Sequence, residues 1–231
     1  GQLIEEMDFR FLYSSARNLF HLGFNLETGQ LDNNYYDLLA SEARIASIFS
    51  ISRGHAPLSH WMHLGRPITR VNGGYALLSW SATTFEYLMP ALYFQPHVNT
   101  LQYKSIETMV NYQRAYAQSK NTPWGISESG FYQFDTNTNY QYRAFGVPAL
   151  GFKRGLGDDL VIAPYASLMA IKWAPSSVEE NAQDLISHDA FGPFGFYESI
   201  DFTQSRLRPG KKFEVIREYM SHHQGMILMA L

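Results

Sequence analysis

The stretch LDNNYYDLLASEARIASIFSISRG, residues 31–54, carries the clearest repeating pattern in the sequence and decides the predicted fold. Apolar residues recur there at intervals of three and four, the spacing that brings side chains to one face of an α-helix. Asp32 or Asn33 can cap the start of such a helix, and Arg53 and Gly54 fit its end. The pattern therefore predicts a long amphipathic helix over residues 31–54.

Glu42 lies at the centre of the apolar face of this predicted helix, whereas Asp37 and Arg44 fall on the opposite side. The other members of that face are Tyr35, Leu38, Leu39, Ile45, Ala46 and Phe49. Burying an unpaired carboxylate is costly, so the position of Glu42 needs an explanation. Pairing with a core arginine, or capping a neighbouring helix, is one explanation. A catalytic carboxylate at the inner mouth of a helical barrel is the one we favour.

Helical patterns recur along the rest of the chain, so the predicted fold class is all-α. Ser81 is a candidate cap for the second helix, and Pro90 is expected to bend or split it. The further predicted helices cover residues 81–94, 101–120, 159–174, 176–189 and 211–231. The stretches between them, 55–80, 121–158 and 191–210, are too long for simple connectors, and we expect them to build a functional face.

Composition restricts the possible classes of protein. The 231 residues are 45% hydrophobic and 17% charged, which predicts a single folded domain over residues 1–231. A net charge of −3 without a basic run argues against nucleic-acid binding, and the absence of cysteine excludes disulfides and thiolate chemistry. No apolar run reaches the roughly 20 residues of a membrane-spanning helix. The last residues follow a helical apolar pattern without a cap, so we expect a piece excised from a longer chain.

Glu128 stands in the stretch NTPWGISESGF, residues 121–131, among Trp124, Ile126 and Phe131. Apolar surroundings raise the pKa of a glutamic acid in general, which makes it a better proton donor near neutral pH. A loop glutamate that caps a following helix is the alternative. Glu198 and Asp201, in FGFYESIDF, are reserve candidates. Two carboxylates in unlike surroundings, beside aromatic rings, are the minimum equipment of a glycoside-processing site.

Other motifs are weak. The histidines around Trp61 and the adjacent His222 and His223 match none of the usual zinc-ligand spacings, and on a helix at most one of the adjacent pair can readily face a shared site. The stretch GFKRGLGDDL lacks the ending of a phosphate-binding loop, and no G-x-S-x-G elbow is present. The sequence therefore predicts neither a metal nor a cofactor.

Eight motifs in a fixed order resemble the glycoamylase-like central region of bacterial cyclic β-1,2-glucan synthases. They are RNLFHLGFN, LDNNYYDLLASEARIASI, HWMHLGRPITRVNGGYALLSWSATTFEYLMP, PWGISES, NYQYRAFGVPALGFKRGL, DLVIAPYASLMA, FGFYESIDFT and YMSHHQGM. The resemblance covers almost the whole chain. It implies an (α/α)6 toroid, related to that of endo-β-1,2-glucanases, of which this chain would be an incomplete fragment.

By this resemblance, Glu42 is the nucleophile and Glu128 the general acid/base of a retaining transglycosylation that closes linear β-1,2-glucan into a ring. The residues expected to contact sugar are Asp37, Trp61, Arg66, Arg70, Trp80, Tyr142, Arg143, Tyr197 and Glu198. The flanking glycosyltransferase and phosphorylase-like domains of a larger inner-membrane synthase are implied partners, with this region on the cytoplasmic side.

Two other functions remain open at this stage. An inverting endo-β-1,2-glucanase would hold the carboxylates about 6.5 to 9.5 Å apart, compared with about 5 to 5.5 Å in a retaining enzyme. A carbohydrate-binding or scaffolding module without turnover is the third possibility.

Overall fold

The computed structural model describes every residue from Gly1 to Leu231 and combines helices with several antiparallel sheets. The chain consists of two compact units, residues 1–67 and 68–231. The single domain expected over residues 1–231 stays a prediction. No helix is both long and apolar enough to cross a membrane.

The first unit, residues 1–67, consists of short elements. Its helices are α1 (Gln2–Glu6), a 3-10 turn (Arg10–Leu12), α2 (Arg44–Ser52) and α3 (Leu58–His63). Its strands are β1 (Tyr13–Ser14), β2 (Leu19–His21), β3 (Phe24–Asn25), β4 (Gln30–Leu31) and β5 (Tyr35–Tyr36). Strands β1, β2 and β5 form one antiparallel sheet, and β3 pairs with β4.

The second unit, residues 68–231, holds the longer helices. They are α4 (Thr84–Tyr93), α5 (Leu101–Lys120), α6 (Pro164–Leu168), α7 (Pro175–Ser187) and α8 (Ser221–Ala230). Its strands are β6 (Ile68–Val71), β7 (Gly74–Leu77), β8 (Ser129–Phe134), β9 (Tyr140–Arg143), β10 (Val161–Ile162), β11 (Phe191–Gly192), β12 (Gly195–Phe196), β13 (Ser199–Asp201) and β14 (Glu214–Ile216). Strands β10, β13 and β14 form one sheet, and the others pair as hairpins.

The prediction of an all-α fold is wrong, because the stretches interpreted as long loops contain antiparallel hairpins. In the stretch 55–80, strands β6 and β7 join at Asn72 and Gly73, whose φ angles are 48° and 79°. An Asn-Gly pair with both φ angles positive matches the right-handed twist of flanking strands and is a strong hairpin signal. In the stretch 121–158, β8 and β9 pair across a turn in which Asp135 Oδ1 accepts from two backbone N–H groups.

The helix predicted over residues 31–54 is also wrong in its first half. Tyr35 and Tyr36 form strand β5 beside β2, and the helix begins only at Arg44. Glu42 therefore lies in the turn before α2, so the apolar face computed for it does not exist. Within α2 the buried residues are Arg44, Ser47 and Ser50, so Arg44 belongs to the buried side of the helix and not to the side opposite the core.

The structure agrees with some of the remaining helix predictions and corrects the first residues of others. Helix α5 coincides with the predicted 101–120, and Thr100 caps it by accepting from the Tyr103 N–H. Helix α4 begins after Thr83 rather than Ser81, with Thr83 and Glu86 in a capping box, and it continues through Pro90. In 159–174 and 211–231, strands β10 and β14 replace the first part of each predicted helix.

Candidate functional site

Glu128 lies at the entrance of strand β8, between two fully buried serines. Ser127 and Ser129 are 0% exposed, whereas Glu128 is half-buried. The tight backbone nearby depends on Gly125, whose φ is 130° and where a Cβ atom would lie 2.9 Å from the Ala163 carbonyl oxygen. The chain therefore brings one carboxylate to a partly accessible position from a closely packed segment.

Tyr165, on α6, fixes this segment from one side. Its Oη lies 2.8 Å from Ser127 Oγ and donates to the backbone carbonyl of Glu128 at 2.9 Å. On the other side, the Phe85 N–H of α4 donates to Ser127 Oγ at 3.1 Å. Two helices thus position the backbone that carries Glu128.

Tyr142, on β9, stands near the same carboxylate. Burial, followed by the negative charges of Glu128 and Glu198, raises the pKa of Tyr142 far above its ordinary value. Burial, followed by the charge of Glu128, also raises the pKa of the wholly buried Tyr165, while its hydrogen bond with Ser127 opposes them. Both phenols therefore stay protonated in the neighbourhood of Glu128.

Glu198 lies before β13 and is buried, as is His223 of α8. The His223 Nδ1 atom lies 2.9 Å from Glu198 Oε2, and the Gly130 N–H donates to Glu198 Oε1 at 3.1 Å. The His223 ring stacks on Tyr165 with centroids 3.7 Å apart and an interplanar angle of 11°. Glu198 was expected to contact sugar, and the structure instead shows both of its carboxylate oxygens occupied by protein groups.

Glu218 adds a third carboxyl group to this cluster. Its Oε2 atom is buried without a hydrogen-bond partner, and a Cβ atom on Gly130 would lie 3.0 Å from it. Burial and the charge of Glu198 raise the pKa of Glu218, while His223 opposes them. Two carboxyl groups, one paired with a histidine and one unpaired, therefore lie behind Glu128's strand.

Asp201, the other reserve candidate, is a structural residue. It is 0% exposed, its two oxygens accept from Arg206, and they also accept from the backbone N–H groups of Tyr132 and Thr203. Asp159 joins Arg206 to Arg143, and both guanidinium groups pack over the Phe131 ring. The Arg143 side chain was expected to contact sugar and is committed to this network.

Trp80 forms an exposed aromatic pair with Phe152. The two rings are 50% and 47% exposed, with centroids 5.4 Å apart. Their backbones are joined, because the Lys153 N–H donates to the Trp80 carbonyl at 2.9 Å. The buried Glu86 accepts from the Trp80 N–H and from groups on Ser79, Ser81 and Thr83. The Trp80–Phe152 pair is therefore exposed, while hydrogen bonds fix the backbone that carries it.

Glu42 belongs to the first unit, where it lines a cavity of about 190 Å³. The other lining residues are Phe9, Leu12, Phe20, His21, Leu22, Tyr36, Ala43, Ala46 and Ser47. Ser41 Oγ lies 3.3 Å from Glu42 Oε2. Glu42 thus keeps a mainly apolar environment without the helical face predicted for it, and its pairing with Glu128 of the second unit stays a prediction.

The other candidates of the first unit lie around α3. The backbone carbonyl of Asp37 accepts from the Gly65 N–H at 2.7 Å. Arg66 donates from Nη2 to the Trp61 carbonyl at 2.6 Å and from Nη1 to the Leu64 carbonyl, so it caps the end of α3. This contact gives Arg66 a structural role.

The last two candidates contact residues other than those around Glu128. Arg70 of β6 is exposed and lies over the Tyr75 ring at 5.9 Å. Tyr197 packs against Tyr219, with centroids 5.1 Å apart, and the Arg217 guanidinium lies over its ring.

Sequence reasoning missed Tyr165 and Glu218 and gave His223 no role of its own. It predicted that at most one of the adjacent histidines readily faces a shared site; in the structure His223 is buried and His222 is exposed. Tyr165 fell inside a helix predicted from periodicity alone, which carried no sign of its contact with residue 128. No group of three or more histidine, aspartate or glutamate side chains is arranged to hold a metal ion.

Comparisons with known proteins agree on one family. A family model named Glycoamylase, described as "Putative glucoamylase", matches residues 34–231. The cyclic beta-(1,2)-glucan synthase NdvB of Rhizobium meliloti (strain 1021) is 44% identical over 225 residues. That match covers 97% of this chain and 8% of NdvB, so the chain spans a small part of that relative.

Solved structures share the fold over 99% of this chain. The structure of "a putative glucoamylase" from Bacteroides caccae ATCC 43185 has a TM-score of 0.68 at 18% identity, with 57% of that chain covered. An endo-beta-1,2-glucanase from Chitinophaga pinensis, in complex with sophorotriose and glucose, has a TM-score of 0.65 at 17% identity, with 56% covered.

Proposed function

This chain belongs to the glycoamylase family, and we propose that it processes β-1,2-linked glucan, with Glu128 as the group that protonates the departing sugar oxygen. The substrate follows from the names of two similar proteins, a cyclic β-1,2-glucan synthase and an endo-β-1,2-glucanase. The reaction we propose is retaining transglycosylation, which closes a linear glucan chain into a ring.

The environment of Glu128 is the observation that supports this role best. A proton donor must be reachable by substrate, yet held in a fixed direction by its surroundings. Glu128 is half-buried while the serines on either side are fully buried, and Tyr165 holds its backbone carbonyl. Tyr142 and Tyr165 supply two protonated phenols, whose pKa values are raised by burial and then by the charge of Glu128.

The first step of the proposed reaction forms a covalent intermediate. The Glu42 carboxylate attacks the anomeric carbon of a β-1,2-linked glucose. The bond from that carbon to the bridging oxygen breaks, and the oxygen takes the proton of Glu128. This leaves a glycosyl ester on Glu42 and an ionised Glu128.

The second step restores both groups. A sugar hydroxyl attacks the anomeric carbon, its proton passes to Glu128, and Glu42 departs as a carboxylate. When that hydroxyl belongs to the far end of the same glucan chain, the product is a ring. When water attacks instead, the same residues carry out hydrolysis.

Trp80 and Phe152 offer a surface of the kind on which sugar rings stack. Their rings are about half exposed, and hydrogen bonds fix the backbone beneath them. A longer protein would supply the linear glucan from its flanking regions, since the similar synthase is far longer than this chain. This region would act on the cytoplasmic side of the membrane, beside the part of the larger enzyme that extends the glucan.

Product analysis tests the proposal. The chain is incubated with linear β-1,2-glucan of defined length, and the products are examined by mass spectrometry. Cyclic products, each lighter by one water than the linear chain of equal length, support transglycosylation. Shortened linear chains alone would point to an endo-β-1,2-glucanase, and binding without any product would point to a carbohydrate-binding module.

A further inference from the structure

Tyr142 connects a buried carboxylate and a buried histidine with the accessible part of the Glu128 site. Glu198 and His223 are almost wholly buried, whereas Tyr142 is 42% exposed. The His223 Nδ1 atom faces Glu198 Oε2 at 2.9 Å, and the His223 Nε2 atom faces Tyr142 Oη at 3.4 Å. The three side chains therefore form a continuous line from the interior to Glu128's surroundings.

The hydrogen positions along this line follow from the donors and acceptors available. A carboxylate only accepts hydrogen bonds, so the Nδ1 atom of His223 carries the hydrogen that it shares with Glu198. In the neutral ring Nε2 is then an acceptor, and the Tyr142 hydroxyl is the donor that faces it. Stacking on Tyr165 holds the plane of the ring.

We propose that Tyr142 is a positioning residue for Glu128, and that His223 and Glu198 set the direction of the Tyr142 hydroxyl. This inference rests on the proposed role of Glu128. With its hydrogen turned toward His223, Tyr142 Oη presents lone pairs to its other neighbours. Tyr142 pairs with Gly130 across the β8–β9 hairpin, and Gly130 is two residues after Glu128. A lone pair that faces the Glu128 carboxyl favours the protonated acid over the carboxylate, which is the state needed to start the reaction.

The surroundings of the line contain other titratable groups. Burial, followed by the charges of Glu128 and Glu198, raises the pKa values of Tyr142 and Tyr165, so neither phenol loses its proton in the working range. Glu218, whose pKa is raised by burial, lies on the Glu198 side. His222 adjoins His223, and its pKa is lowered by the partial desolvation of its exposed ring and by that neighbour.

Glu198→Gln is the informative substitution. It should reverse the direction of the hydrogen bonds along Glu198, His223 and Tyr142 without changing the shape of the side chains. The Gly130 N–H donates to Oε1, so the oxygen of a glutamine amide belongs at that position and its NH2 group faces His223. The Nδ1 atom of His223 must then accept, and the hydrogen moves to Nε2. Tyr142 Oη becomes the acceptor, and its own hydrogen turns away from His223. We expect that hydrogen to be donated to the Glu128 carboxylate.

Two measurements test the inference without relying on turnover. Nitrogen-15 NMR of labelled histidine reports the tautomer of His223, assigned with His223→Gln. We expect hydrogen on Nδ1 in the wild type and on Nε2 in Glu198→Gln. Carbon-13 NMR of labelled carboxyl groups follows the titration of Glu128, assigned with Glu128→Gln. We expect Tyr142→Phe and Glu198→Gln to lower its midpoint by about 1 to 2 pH units, the effect of one hydrogen bond to a charged group.

Kinetics then connect the line to catalysis. The basic limb of the kcat/KM profile on linear β-1,2-glucan should move to lower pH in both variants, and the double variant should resemble Tyr142→Phe. Tyr112→Phe, the same change on α5, should leave the profile in place. An unchanged tautomer in Glu198→Gln, or an unchanged Glu128 midpoint in Tyr142→Phe, overturns the inference. If the midpoint moves but no variant, nor the wild type, acts on the glucan, the proposed function fails while the line stands.

Discussion

Arg206 holds the fully buried Asp201 through two parallel contacts, from Nε to Oδ2 at 3.0 Å and from Nη2 to Oδ1 at 3.1 Å. Two backbone N–H groups, those of Tyr132 and Thr203, complete the shell around the carboxylate. This arrangement joins β8, β13 and the segment after β13. A buried charge with all of its oxygens satisfied is compatible with a stable fold only while its partner is present.

Arg206→Met should therefore destabilise the chain strongly. Removing one partner leaves an unpaired buried carboxylate, which costs roughly 3 to 5 kcal/mol. Lys104→Met is the matched control, because Lys104 and Glu107 form an exposed pair on α5, of a kind worth about 0 to 1 kcal/mol. Urea unfolding of both variants measures the two costs. Equal losses would mean that the Asp201 pair contributes no more than a surface pair.

Glu128→Gln and Glu42→Gln should each lower turnover on linear β-1,2-glucan by about 10² to 10⁴-fold, the contribution of a positioned acid, base or nucleophile. Binding of the glucan should persist, because the amide keeps the shape of the side chain. Glu179→Gln on α7 and Glu27→Gln are exposed controls in the second and first units. Calorimetry and product assays separate the two effects. Full activity in either site variant would remove that residue from the proposed mechanism.

Trp80→Ala should weaken binding of the glucan about ten-fold, the equivalent of one good aromatic contact, with little change in kcat. The expectation follows from its half-exposed ring beside Phe152. Trp80→Phe should recover part of the loss. Tyr93→Ala removes another exposed aromatic ring, on α4, and serves as the control. Equal weakening by both alanine variants would argue against a stacking surface at Trp80.

Glu218→Gln should change how stability depends on pH. Burial raises the pKa of Glu218 in the folded chain above its ordinary value of 4.5, so folding favours the protonated form. Its stabilising contribution is complete below pH 4.5 and is lost as the pH rises through the folded value. The glutamine variant does not undergo this loss.

The free energy of unfolding of Glu218→Gln, relative to the wild type, should therefore increase from about pH 4.5 upward and then level off. Denaturant unfolding across a pH series measures the difference, and Glu179→Gln controls for the loss of one negative charge. A difference that falls with rising pH would contradict the raised pKa.

Helix α5 shows what the sequence could predict. It spans 20 residues, follows a threonine cap, and ends at Asn121 in the left-handed conformation, so local signals agreed along its whole length. In residues 31–43 a helical spacing of apolar residues was misleading. Tyr35 and Tyr36 pair with β2, and Leu38 bridges to Gly65, so tertiary pairing overrides periodicity there.

The Asn72-Gly73 turn was a readable hairpin signal that the interpretation of 55–80 as a loop passed over. The candidate site, too, could be predicted from the sequence only in part. Glu128 was conspicuous among aromatic neighbours in sequence. Its relation to Tyr165, and that of Glu198 to His223, depends on contacts between residues 37 and 25 positions apart, which local spacing does not encode.

The Glu86 carboxylate has a consequence for any sugar ring that stacks on Trp80. Because this one carboxylate accepts hydrogen bonds from residues 79 to 83, the backbone that carries the Trp80 indole is fixed before any sugar binds. Little backbone freedom then remains to be lost on association, so more of the stacking energy appears as affinity. Under the proposed function, a sugar that makes few other contacts is then retained by one pair of rings.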